Sequence, residues 1–320
     1  MTSKSRQCVA IEPDLIASAT GEAPPAARAR VDAHVAGCLA CRNDLTRYRA
    51  VDAVVGTLRA DTAPAGDAEA ARRRLIARLA DLRTRLVSYR VFSSPLGPIL
   101  LAASDHGVAL VEYLDRDDAT GSRLFKMAGV ETEENGGELE PLHAELLEYL
   151  AGRRARLEWP IDLRFARSDF ERSVLEATAA VPYGAVSSYT GIAGDLGKPS
   201  AVRAVAQALR HNPLPIVVPC HRIVGAGGDL VGYAGDRISL KERLLAVEGV
   251  PTLPGRVSRI VRRAMYHYAP NPDRQYCLPT CGTIFERPIG PVRLFARREI
   301  AEASGLEPCV DCRPDLHPLG

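Results

Sequence analysis

The stretch Ile216-Val217-Val218-Pro219-Cys220-His221-Arg222-Ile223-Val224 runs an apolar segment into a Pro-Cys-His-Arg turn, and a glycine-rich loop over residues 225–235 follows. Pro219 stiffens the backbone on entry to the thiol. His221 is a base candidate by residue type, and a thiol near an imidazole is how proteins make a thiolate at neutral pH. A single cysteine on its own is most often a small buried core residue. The residues around this one change that reading.

Upstream stand Val181-Pro182-Tyr183-Gly184, Ser188-Tyr189, Pro199-Ser200-Ala201-Val202-Arg203-Ala204-Val205 and Arg210-His211-Asn212-Pro213. Downstream stand Gly232-Tyr233-Ala234-Gly235 and Lys241-Glu242-Arg243-Leu244-Leu245-Ala246-Val247-Glu248-Gly249. In that order and spacing, residues 164–249 closely resemble the O6-alkylguanine-DNA alkyltransferases. A weaker resemblance reaches back to Tyr89, where Phe92-Ser93-Ser94-Pro95-Leu96-Gly97-Pro98-Ile99-Leu100 is similar to the family's opening strands.

The resemblance implies a single-turnover reaction on double-stranded DNA carrying alkylated guanine. The damaged nucleotide leaves the stack, which costs a few kcal/mol. Arg203 enters the gap from the minor groove, and Ser200, Ala201, Arg210 and Arg222 join it at the DNA. Cys220 takes the alkyl group. Glu248 holds His221, which acts through a water on the thiol. Tyr189 protonates the departing guanine, and Asn212 ties the DNA-reading helices to the active-site turn. Tyr233, Ala234 and Gly235 line the base pocket. The product thioether is a poor leaving group, so the protein acts once. Two departures bear on rate and alkyl preference: Ala234 stands where Ser or Thr often follows the pocket tyrosine, and Asp236 replaces a second pocket glycine.

The 320 residues suffice for two or three domains, and 46% apolar content supports real cores. The net charge of +2 is unevenly spread, with acids over residues 112–148 and bases over 256–274; a local basic segment is usually a solvated linker. The polar N-terminus shows no secretory signal, and no apolar run approaches the length of a membrane span. The expected setting is the cytoplasm, at the nucleoid, as a monomer. There thiols stay reduced, so the eight cysteines call for a reading other than disulfides. They form three groups: Cys8, Cys38 and Cys41; Cys220; and Cys277, Cys281, Cys309 and Cys312.

In the first group, His34-x-x-x-Cys38-x-x-Cys41 puts His34 and Cys38 one helical turn apart. Cys8 closes a four-ligand site, a common structural zinc shell. Residues 26–35 read as the helix that delivers His34. The segment is similar to the zinc-binding anti-sigma domains, which implies a sigma factor or another protein as partner; a zinc-pinned helical module without a partner is the alternative. Residues 59–85 read as a connecting helix with a solvated basic face, Leu75, Leu79 and Leu82 lying beneath arginines. Residues 87–113 read as two or three strands with a turn at Asp105-His106-Gly107, residues 120–140 as an acidic surface loop, and 142–151 as a helix.

Ser168 with Glu171 three residues later is a capping box for a helix ending before Pro182. Residues 188–196 and 200–210 read as two helices about a Gly197-Lys198-Pro199 turn. Val202, Val205, Ala206 and Leu209 share one buried face, and Arg203 and Arg210 lie off it. This is the layout of a helix-turn-helix.

Two Cys pairs separated by twenty-seven residues, Cys277/Cys281 and Cys309/Cys312, form a zinc signature. With Val292-Arg293-Leu294-Phe295-Ala296 and residues 301–308, the segment resembles the metal-binding domain of the Ada adaptive-response proteins. That implies Cys277 as a second methyl acceptor, from a DNA phosphotriester; a purely structural four-cysteine site is the alternative.

The expected architecture is multidomain α+β. A helical zinc module (1–58), a helical linker (59–86), an α/β subdomain (87–163), a winged helix-turn-helix-like catalytic domain (164–252), a linker (253–268) and a small α+β zinc module (269–320) follow in order. Zinc at two sites and no organic cofactor are expected. The rival readings are an alkylation-responsive regulator that signals through its zinc modules to a sigma factor, and a cysteine hydrolase, for which no oxyanion motif is visible.

Overall fold

The computed structural model describes residues 6–60, 68–115, 119, 121–127, 129–134, 137–270, 272–284 and 290–319. The chain divides into two compact units, residues 1–78 and 79–320. In the first, helices α1 (Arg6–Ala19), α2 (Pro25–Gly37) and α3 (Leu39–Ala60) pack around Leu15, Val31 and Leu45, with Cys8 and Cys41 in the same cluster. Pro25 opens α2 where its missing N–H costs nothing. Helix α4 (Ala68–Arg85) leaves Leu75, Leu79 and Leu82 exposed rather than covered by the arginines; residues 61–67 of the stretch read as one helix lie outside the described residues.

The second unit begins with the meander β1 (Leu86–Phe92), β2 (Ile99–Ser104) and β3 (Gly107–Tyr113). Gly107 has φ 131°, and a Cβ there would lie 2.2 Å from the Pro160 carbonyl oxygen, so no other residue fits this turn. The expected acidic loop is only partly a loop. After a 3₁₀ turn at Arg123–Lys126, β4 (Glu131–Glu134) pairs in parallel with β1. Its four acidic and threonine side chains are exposed on the sheet edge, where charge discourages further strand pairing. Residues 120, 128, 135 and 136 of that stretch lie outside the described residues. Helix α5 (Glu140–Leu150) covers the sheet, burying Leu146, Tyr149 and Leu150 in the core that holds Ile99, Leu101 and Val111.

Helix α6 (Asp169–Ala179) starts where Ser168 Oγ accepts from the Glu171 amide at 3.1 Å. After β5 (Ala185–Ser188) come α7 (Tyr189–Asp195), a 3₁₀ turn (Pro199–Ala201) and α8 (Val202–Arg210), the expected helix-turn-helix. Val205 and Leu209 are buried, Val202 and Ala206 half-buried, and Arg203 and Arg210 exposed. A 3₁₀ turn at Cys220–Arg222 leads into β6 (Ile223–Val224), and α9 (Ile238–Val247) follows.

The C-terminal part differs from the expected linker and separate module. Residues 253–268 are ordered: β7 (Thr252–Leu253) and β8 (Arg259–Ile260) form a hairpin, and β9 (Tyr266–Tyr268) follows. Strands β10 (Gln275–Tyr276), β11 (Arg293–Phe295) and β12 (Glu307–Pro308), with helix α10 (Arg298–Ala303), complete the chain. Strand β11 inserts between β5 and β9, giving a sheet of order β6-β5-β11-β9 that runs from the catalytic turn to the cysteine cluster. Backbone pairing across a hundred residues of sequence leaves no local signature, so the boundary looks like a linker in the sequence.

Candidate active site and metal centres

Cys220 opens a single 3₁₀ turn whose approach is strained. Ile216, a β-branched residue, holds φ at 76°, a conformation seen where surrounding structure over-determines the backbone. Asn212 supplies part of that determination. Its Nδ2 donates to the Val218 carbonyl at 2.9 Å and to Cys220 Sγ at 3.2 Å, and its Oδ1 accepts from the Leu214 amide. The end of the helix-turn-helix is thus bonded directly to the thiol.

His221 is fully buried, with Nε2 2.6 Å from Glu248 Oε1. A carboxylate accepts, so Nε2 carries the proton and Nδ1 holds the lone pair. Nδ1 is buried without a protein hydrogen-bond partner. Burial lowers the His221 pKa, outweighing the raising influence of Glu248, so the ring rests neutral. Burial would raise the Glu248 carboxyl, but the charges and bonds around it, His221 and Arg222 foremost, bring it down to about 2.

The sulfur itself departs from expectation. Burial pushes the Cys220 thiol up, and the Asn212 bond, the Lys241 charge and the Arg123 charge recover only part of the shift. At neutral pH the group is a thiol. Arg222 is also corrected. Assigned to DNA from the sequence, it is 7% exposed and faces inward: Nε donates to Glu248 Oε2 at 2.9 Å and Nη1 to the Val181 carbonyl. A buried carboxylate needs a partner, and Arg222 is the available cation.

Cys220 lies at a cavity of about 570 Å³ lined also by Tyr113, Arg123, Ala234, Gly235 and Arg237. Tyr233 is buried beside it, its hydroxyl 2.8 Å from that of Tyr113 and its ring edge-on to His221. Ala234 holds φ at 41° and Gly235 at 81°, which bends the pocket loop. Tyr189 donates to the Val231 carbonyl at 3.2 Å, and burial, reinforced by Cys220, raises its pKa to about 12, so its proton is present at neutral pH. Arg203, Ser200 and Arg210 are exposed along the helix-turn-helix and Ala201 is half-buried; Arg210 also lines the cavity.

Four residues escaped the sequence reading. Lys241 is fully buried, donating to the Ile223 and Val231 carbonyls, and burial lowers its pKa to about 8. Tyr149 donates to Glu248 Oε1 at 2.5 Å. Arg123 donates to the Asn212 carbonyl at 3.0 Å, and Tyr113 reaches the pocket from β3. Only Lys241 lay within a quoted motif; the other three come from the N-terminal subdomain, far off in sequence.

Both outer cysteine groups converge. The ligand atoms of Cys8, His34, Cys38 and Cys41, and those of Cys277, Cys281, Cys309 and Cys312, lie within 4.8 Å of one another. Cys8 Sγ and Cys38 Sγ are 3.8 Å apart, and a tetrahedral shell with metal–sulfur bonds of about 2.3 Å has edges near that length. His34 Nε2 is buried without a hydrogen-bond partner, as a ligand nitrogen would be. The Leu278 amide donates to Cys312 Sγ at 3.3 Å, a bond that favours a thiolate. Both donor sets fit a metal ion. Cys277 is 4% exposed.

Comparison with known proteins agrees with this geometry. The family model "6-O-methylguanine DNA methyltransferase, DNA binding domain" matches residues 169–250, the same family's ribonuclease-like domain matches 87–163, and a zinc-finger family matches 8–42. A methylated-DNA–protein-cysteine methyltransferase of Methanosarcina acetivorans is 37% identical over 163 residues, 50% of this chain and 97% of the relative. The Mycobacterium tuberculosis enzyme of that name is 36% identical, covering 51% of this chain and 93% of its own length. Among solved structures, the Mycobacterium tuberculosis O6-methylguanine methyltransferase aligns at 36% identity over 51% of this chain and 92% of that one, with a TM-score of 0.43. The paired domains thus define a DNA alkyltransferase. The chain belongs to the methylated-DNA–protein-cysteine methyltransferase family.

Proposed function

We propose that this protein repairs DNA by moving the alkyl group of O6-alkylguanine onto Cys220, once per molecule. The observation that carries the reading is Cys220 at the cavity, bonded to Asn212 and next in sequence to the buried His221–Glu248–Arg222 chain of bonds. The nucleotide rotates out of the duplex into the cavity while Arg203 fills the stack. The Cys220 proton passes through water to His221 Nδ1, and the imidazolium is stabilised by the Glu248 carboxylate. The sulfur attacks the alkyl carbon; the S–C bond forms, the C–O6 bond breaks, and its electron pair moves to the guanine ring. Tyr189 donates a proton to that ring, and solvent replaces it. Lys241 and Arg123 favour negative charge on sulfur only while it develops.

Zinc is the metal that best suits both donor sets, and each set saturates it, so each site is structural. For the second site the burial of Cys277 supports this over methyl acceptance. The N-terminal module leaves Leu39, Val51 and Val54 on α3 more than half exposed, which supports a protein partner, a sigma factor by its resemblance. No helix among the described residues is long and apolar enough to cross a membrane; a cytoplasmic, nucleoid-bound setting accords with a DNA substrate. Incubation with duplex carrying O6-methylguanine, followed by peptide mass mapping, tests the central reading: one methyl on Cys220 is expected, and an unmodified Cys220 beside repaired DNA would refute it. Pull-down before and after alkylation tests the partner.

A further inference from the structure

The strand that joins the cysteine cluster to the catalytic domain runs alongside the groups that the reaction needs. The Ala296 amide donates to the Gly184 carbonyl at 2.8 Å, and the Gly184 amide donates to Glu248 Oε2 at 3.0 Å. Phe295 and Leu294 pair with Ala185 and Val186. The Gly290 carbonyl accepts from Ser188 Oγ, which caps α7 by accepting from the Gly191 amide at 2.9 Å. At the other end of α7, Arg293 Nη2 donates to Asp195 Oδ2 at 3.0 Å. Helix α7 is therefore held at both ends, and its first residue is Tyr189. The same row continues outward: Leu294 pairs with His267, and His267 exchanges both backbone hydrogen bonds with Cys277, at 2.9 and 2.8 Å. Cys277, Cys281 and Cys309 share one buried cluster with Val186, Val224, Leu245 and Leu294.

We propose that residues 290–296 are a positioning strap for the alkyl-transfer site, and that the four-cysteine centre anchors it. The strap sets Tyr189 through the Ser188 cap and steadies Glu248 through Gly184. The bonds that Gly290, Arg293 and Ala296 make to Ser188, Asp195 and Gly184 come from residues beyond the two matched alkyltransferase domains, which end at residue 250. The inference rests on the reading of Cys220 as acceptor, and its test keeps the two apart.

The experiment uses the full chain and two readouts, amide hydrogen exchange over residues 184–195 and the single-turnover rate of methyl transfer to Cys220. In the Cys309→Ser/Cys312→Ser variant, exchange at β5 and α7 is expected to rise at least about tenfold and transfer to slow by a similar factor. Should that variant unfold, Arg293→Met decides. It removes one half-exposed ion pair, so exchange confined to α7 rises and transfer falls by about two- to threefold, and Arg293→Lys recovers part of both. Unchanged exchange and unchanged rate in Arg293→Met, or in a folded double variant, would overturn the strap. Absence of methyl from Cys220 in the unaltered protein would instead refute the acceptor assignment, and the exchange data would still judge the strap.

Discussion

Cys220 and Cys277 are both buried thiols in the same compact unit, and their surroundings give them opposite chemistry. Cys220 stands alone at a cavity, with one amide donor on its sulfur and an unpaired imidazole nitrogen beside it in sequence. Cys277 faces three other thiols across a few ångströms and packs against Leu294 and Val292. A lone buried thiol resists ionisation, so in the proposed reaction a base and nearby cations would have to help its proton leave. Four converging thiols fit a ligand shell, in which a bound ion would take up their charge. Reactivity here is a property of the company a sulfur keeps more than of its depth.

Replacing each sulfur gives the largest test of that contrast. Cys220→Ser should abolish methyl uptake from alkylated duplex while leaving the melting temperature near that of the unaltered protein. Cys277→Ser should retain one methyl per chain and lower the melting temperature by roughly 10 °C, because a ligand to a folding-coupled metal is lost. Equal loss of uptake in both variants, measured with labelled methyl, would erase the distinction.

Removing the charge behind the base comes next. Glu248→Gln leaves Arg222 unpaired and the imidazolium unsupported, and transfer should slow by about 10²–10³-fold in single-turnover assays. The same carboxyl sharpens the acid limb of stability. Its folded pKa of about 2 lies below the unfolded value of about 4.3. Its contribution is therefore full above pH ~4.3 and is lost as pH falls toward 2. Acid unfolding curves of the Gln variant should be flatter across that window.

Lys241 is a smaller lever. Its ammonium favours the thiolate, so Lys241→Met should push the Cys220 thiol further up and slow transfer at neutral pH. In the unaltered protein the help fades as pH rises through about 8, where the lysine loses its proton. A pH–rate profile with the same midpoint in both proteins would exclude the role. The smallest effect is expected in the separate N-terminal unit: Cys41→Ser should destroy protection of residues 6–60 and change transfer by less than about twofold.

The catalytic sequence announces itself because its chemistry is local. Pro219-Cys220-His221-Arg222 is one turn, Asn212 lies eight residues before the thiol, and helix α8 shows its buried face by spacing. The ligands His34, Cys38 and Cys41 sit on successive turns, so the N-terminal centre too could be read from spacing. Arg222 was misplaced because an arginine next to a catalytic turn reads equally as a DNA contact or a carboxylate partner; only the position of Glu248 selects between them.

The residue order by itself determined the reaction class, the two convergent donor sets and the helix-turn-helix, and it proposed Cys220 and His221 as nucleophile and base, since each depends on short stretches of chain. Tertiary structure alone decided that Tyr149, Tyr113 and Arg123 join the site, that burial pushes the Cys220 thiol up, and that β11 carries the last cysteine cluster into the sheet of β5 and β6. Those outcomes depend on solvent exclusion and on backbone pairing between distant segments, and neither is written in any one stretch of side chains.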